Sequence, residues 1–181
     1  MISAGPLARP RDAGHTGMSR IQRTVIRSGM QFALWLAASI ARRPALAGVT
    51  DRVMRKLAIS TVRRRRIRTA DDLVALGLAW QKGFPSARQV PIASITADTV
   101  YAEILTPCPL RGSGDMDACH RMMAYDREVV AAAGGAFIVL QSQAEPGVTR
   151  CRVAMRFQGS DLADLIPAHL RAPAARPQSL R

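Results

Sequence analysis

From Ser19 onward, apolar residues recur at helical steps through Ile21, Val25, Met30, Leu34 and Ile40. Ser19 supplies a candidate N-cap, and Pro44 ends the run, because the residue before a proline is pushed out of the helical region. The pattern predicts a helix over residues 19–43. Val53, Leu57 and Val62, with Met54 and Ile59 widening the stripe, predict a second helix over 50–66. A third, over 69–83, opens on Thr69-Ala70-Asp71-Asp72, which places an N-cap candidate and two carboxylates in the first turn. It carries Leu73, Leu76 and Trp80 before Gly83.

Beyond Pro85 the period changes from helical to alternating. Residues 92–95 and 100–105 read as strands, with Tyr101, Glu103 and Leu105 on one face and Val100, Ala102 and Ile104 on the other. A helix containing Cys119 and Asp126 follows, then strands over 136–143 and 148–157 joined at Glu145-Pro146-Gly147. On the last strand Thr149, Cys151, Val153, Met155 and Phe157 share one face. Arg150, Arg152 and Arg156 share the other, which must be wet or paired, so Cys151 is expected to point into the core.

The fold class expected is α+β: a helical N-terminal half followed by a β-β-α-β-β unit with an antiparallel sheet. The domain plan is a disordered leader over 1–17, one domain over 18–170 and a disordered tail over 171–181. Within the domain, 18–84 is a helical preface, 91–157 carries the site, and 161–170 is a short amphipathic segment.

At 181 residues and 48% hydrophobic content the chain can bury one core. Its net charge of +13 rests almost wholly on arginine, since only Lys56 and Lys82 are lysine. Aromatic residues make up only 4%, which leaves few stacking platforms and argues against a nucleic-acid partner. The densest charge is Arg63-Arg64-Arg65-Arg66. It reads first as a solvated helix terminus suited to the negative end of the dipole, and second as a contact for an anionic membrane surface or an acidic partner. Three cysteines, an odd number, with no apolar signal segment, imply reduced thiols and a cytoplasmic location.

All three cysteines lie between Thr106 and Phe157. Cys108 sits in a stiff Pro107-Cys108-Pro109 turn that leads toward the central helix. A thiol at a helix N-terminus has a lowered pKa, so Cys108 is a nucleophile candidate. Cys119 and Asp126 fall on one helix face two turns apart, about 10 Å along the axis. Asp126 is then either a hydrogen-bonded anchor or a general acid/base. His120 diverges from Cys119 by roughly 100° and is placed near a pocket opening. Cys108, Cys119 and Asp126 are expected to line one pocket. The cysteines and a histidine reach a zinc ligand set in count, but no C-x2-C pair is present, and no metal or other cofactor is expected.

Cys108-Pro109, Ala118-Cys119, Asp126 and Gly147-x-x-x-Cys151 on a closing strand resemble the L-2-amino-thiazoline-4-carboxylic acid hydrolase family. The resemblance spans about residues 101–157. It implies cysteine-dependent ring opening of a small cyclic amidine-like substrate, with Cys108 or Cys119 as nucleophile and Asp126 or His120 transferring the proton. Arg111 would clamp the substrate carboxylate, and Glu103 would join it in substrate binding. The glycine before the cysteine on the closing strand is also similar to the 4-vinyl reductase type of domain, which implies a non-catalytic module that binds or senses a small ligand.

Overall fold

The computed structural model describes residues 35–171. The predicted helix over 19–43 is seen only in part: residues 35–41 are helical, and 19–34 lie outside the described residues, as do the expected leader and residues 172–181 of the tail. Pro44 then opens a 3-10 turn, Pro44–Leu46, that leads into α1, Ala47–Arg65. The third predicted helix, α2, spans Leu73–Gln81 and starts later than the 69 the sequence suggested. The Asp72 carboxylate accepts from the Ala75 backbone N–H at 2.7 Å, so Asp72 is the cap and Thr69 stays outside.

Four antiparallel strands follow the expected alternation: β1 (Ile92–Ile95), β2 (Val100–Ile104), β3 (Gly135–Gln141) and β4 (Cys151–Phe157), in the spatial order β1-β2-β4-β3. The class is therefore α+β with a helical N-terminal half. Val100, Ala102, Ile104, Phe137, Cys151, Val153 and Met155 are buried together under the helices. Gly77 lets α2 lie close on the sheet, because a Cβ there would stand 2.8 Å from Ile92 Cδ1. The centre of this core is Trp80, fully buried, with ring centroids 5.2 Å from Phe84 and 6.0 Å from Phe137. Burying an indole of this size supplies roughly 4–6 kcal/mol of transfer free energy.

The central helix is broken. Residues Met116–Met122 form α3 and Ala124–Ala132 form α4, and Met123 between them has φ −71 and ψ 2. α1 packs on α4 and α3 through Thr50, Met54, Ala58 and Thr61, a small-residue face. The segment expected to be amphipathic over 161–170 forms turns and a 3-10 turn, Ala168–Leu170, that packs on α3 and β3.

That segment also covers one end of the outer face of the sheet. Arg152 is exposed as the alternation required, but Arg156, on the same face, is buried. The chain after β4 folds back over it: Arg156 donates to both Asp164 carboxylate oxygens at 2.6 and 2.7 Å, to the Asp161 carbonyl at 2.5 Å and to Thr99 Oγ1 at 2.6 Å. The strand register is as expected, and the buried guanidinium is paired rather than wet.

α1 ends on Arg66 with φ 52 and ψ 45, a left-handed cap position that glycine usually fills. Arg66→Gly should therefore raise the unfolding free energy by about 1 kcal/mol. Urea melts would show a higher midpoint at unchanged slope. A lower midpoint would mean that the Arg66 side chain stabilises the fold by more than its backbone costs.

Candidate functional site

The turn that carries Cys108 is tied to the loop after β3 from several directions. Gly112, at φ 66, donates its N–H to the Gln143 carbonyl, and Gly114, at φ 72, donates to the Ala144 carbonyl, both at 2.8 Å. Glycine is the residue that reaches this left-handed region without a steric penalty, so Arg111-Gly112-Ser113-Gly114 can run alongside the 143–144 backbone. The fully buried Gln143 side chain completes the junction. Its Oε1 accepts from Cys108 N, Arg111 Nε and Arg111 Nη2 at 3.1, 3.1 and 2.7 Å. Its Nε2 donates to the carbonyls of Ile104 and Thr106 at 3.2 and 2.9 Å.

Two of the three thiols meet this Ser142-Gln143 pair, and the third cysteine reaches it through its backbone. Cys119 Sγ lies 3.0 Å from Ser142 Oγ, Gln143 N donates to Cys151 Sγ at 3.4 Å, and Cys108 N bonds the Gln143 side chain. Cys108 also packs against the buried cluster of Ala38, Ala41, Leu110, Ala118, Cys119 and Ala144. Burial pushes all three thiols up: Cys119 to about 12, Cys151 to about 11, and Cys108 above its ordinary value. This reverses the expectation for Cys108. The N-terminus of α3 is capped by Asp115, whose carboxylate accepts from Ala118 N at 2.8 Å, while Cys108 Sγ accepts from Leu110 N at 3.4 Å within its own turn. The cavity that Cys119 lines includes neither Cys108 nor Asp126.

Asp126 follows the break at Met123 and so leaves the row expected of it. Its carboxylate accepts from the Trp80 indole N–H at 2.9 Å inside the core, which fulfils the anchor alternative. Cys119 instead lines a cavity of about 110 Å³ with His120, Arg127, Phe137 and His169. The His120 and His169 rings stand 3.9 Å apart between centroids, and Arg127 Nη1 lies 3.5 Å from His120 Nδ1. Burial, then Arg127, then His169, brings His120 down to about 4, so it is neutral at pH 7. Among the described residues, no group of three His, Cys, Asp or Glu side chains is placed to hold a metal ion.

Arg111 is committed to Gln143 and to the Thr149 carbonyl at 2.8 Å, so it holds the loop rather than waiting for a substrate. Glu103 is differently placed. It lies on the outer face of the sheet, opposite Arg152 in register, and pairs with Arg150 at 3.1 Å. Together with Ser94, Tyr101, Gln141 and Arg152 it lines an open cup of about 470 Å³. Irregular register at Ile92/Ser94 and at Val139/Gln141 lies at the cup's two strand edges, and such bulges recur next to binding sites. Arg152 is exposed, and its guanidinium has no ion-pair or hydrogen-bond partner among the described residues. Sequence reasoning missed Gln143, Ser142, His169, Tyr101 and Arg152 as a group. The polar Ser-Gln pair ending an apolar strand was the available signal for the first two.

Compared with family models, curated proteins and solved structures, the chain matches none.

The buried Asp126 carboxyl generates a pH prediction. Burial, outweighing the indole hydrogen bond, raises it to about 6. A carboxyl raised in the folded state contributes most below its unfolded value of about 3.9, and that contribution is lost as pH rises through about 6. Asp126→Asn keeps an acceptor for the indole and removes the ionisation. It should be more stable than the parent at pH 7.5, by on the order of 2–3 kcal/mol, with the advantage vanishing near pH 4. Urea melts at the two pH values test this, and an equal difference at both would contradict it.

Proposed function

We propose that this chain is a small-ligand-binding domain whose site is the outer-face cup, with the cysteines serving as packing. The observation that carries this reading is the unpartnered Arg152 guanidinium beside the Glu103–Arg150 pair in a cavity of about 470 Å³. That volume is within the usual range for small-molecule sites, roughly 300–1,000 Å³. Its polar lining selects a polar occupant. Arg152 offers a planar fork to a carboxylate, while Glu103 and Gln141 accept from an amine or amidine, and Tyr101 and Ser94 supply hydroxyls. The ligand class is a compact carboxylate that also carries a nitrogen donor.

A second reading is favoured by one observation, the gathering of three cysteines at Ser142-Gln143, two through their sulfur and Cys108 through its backbone N–H. It is the cysteine-dependent hydrolysis of a small cyclic C–N substrate, as the thiazoline hydrolase resemblance implies. Cys108, only half-buried, is then the attacking sulfur, and it first has to lose a proton that burial holds in place. None of the three cysteines lines the cup, so the two readings make separable demands.

Titration calorimetry with a thiazoline carboxylate separates them. In the binding reading, Arg152→Ala weakens affinity by roughly tenfold to a hundredfold, the worth of one charge-assisted contact. Cys108→Ala leaves affinity unchanged, and native thiols show no iodoacetamide-reactive component titrating below about pH 8.5. Opening of the thiazoline ring by water, read as loss of its C=N absorbance, that Cys108→Ala abolishes with Arg152→Ala inert, would overturn the binding reading and install the hydrolase.

A further inference from the structure

We propose that the exposed face of α1 docks on an anionic phospholipid surface. The helix buries Thr50, Met54, Ala58 and Thr61, and its opposite side is open. Arg52, Lys56 and Arg63 follow one another along that side at helical steps with Ser60 between, and Arg64, Arg65 and Arg66 extend the charge at the C-terminal end. The helix holds one carboxylate, Asp51, and it is occupied by Arg55 at 2.9 Å. Arg52, Lys56 and Arg63 to Arg66 have no acidic partner among the described residues.

A solvated helix terminus accounts for cations near the C-terminal end, but it leaves the aliphatic neighbours unexplained. Val49, Val53 and Leu57 stand at four-residue steps directly beside the cationic row, and they are 48, 46 and 52% exposed. Ile59 flanks the row on its other side at 40%. Basic side chains bordered by exposed aliphatic ones match the headgroup and upper acyl layers of a bilayer, where the charges meet lipid phosphates and the branched side chains leave water. A nucleic-acid backbone would satisfy only the charges. No aromatic residue lies on this helix to stack a base, and Val49, Val53 and Leu57 would stay wet. No helix among the described residues is long and apolar enough to cross a membrane, so the contact is lateral.

Co-sedimentation of the full chain with vesicles of 70% phosphatidylcholine and 30% phosphatidylserine tests the proposal, with pure phosphatidylcholine as the reference. We expect at least tenfold tighter binding to the anionic vesicles at about 0.1 M salt, weakening as salt rises. Replacing Arg63, Arg64, Arg65 and Arg66 with Gln should remove at least tenfold of that affinity. Val53→Ser with Leu57→Ser should lower it several-fold with charge unchanged. Circular dichroism melts identify any variant that has lost its fold, and Arg52→Gln with Lys56→Gln provides a second charge test at surface positions. Equal binding to both vesicle types would overturn the proposal. So would tighter binding to duplex DNA that is indifferent to the serine pair, which would assign the face to nucleic acid.

Discussion

One buried primary amide holds the second half of this molecule together. Gln143 has no exposed surface, so each of its polar atoms must be satisfied inside the protein, and all are. Its acceptor gathers the Cys108 N–H and the Arg111 guanidinium, while its donor ties down the carbonyls that leave β2 at Ile104 and Thr106. A charged partner strengthens part of this set, because hydrogen bonds to ionised groups are about twice as strong as neutral ones. The glycines at 112 and 114 then allow the two loops to pair backbone to backbone. Without the amide, a proline-bounded turn, a strand end and a loop would each have unpaired groups in a region that excludes water.

This junction accounts for the chemistry of the sulfur atoms. The thiols are close because Ser142-Gln143 draws their three elements to one point, and the same closure removes the solvent that a thiolate needs. The helical residues over 35–41 contribute Ala38 and Ala41 to the cover. Convergence of cysteines is therefore compatible with a packing role here, and the open polar cup lies on the outer face of the sheet. There Arg156 is neutralised by the returning chain, whereas Arg152, four residues earlier on the same face, is left free. The difference arises because the segment after β4 covers only one end of the outer face.

Much of the sheet was legible in the sequence, because its inner face is apolar and its outer face carries arginine and glutamate. Asp126 was legible as a buried carboxylate that needs a partner, although the sequence does not show that the partner is Trp80, 46 residues earlier. The break at Met123 was hidden, since no glycine or proline marks it and the flanking residues are good helix formers. Asp126 lies beyond that break, bonded to Trp80, and does not line the cavity that Cys119 enters. The capping role of Asp115 was readable in Gly114-Asp115-Met116-Asp117, and the Cys108 thiol bonds within its own turn instead.

Native-state hydrogen exchange on Gln143→Ala tests the role of the amide most directly. If Gln143 is the lock, the amides of Cys108, Gly112 and Gly114 exchange about a hundredfold faster or more, while those of Ala102 and Val153 in the central ladder keep their protection. A uniform loss of protection across sheet and loop, or no change at either, would contradict the account.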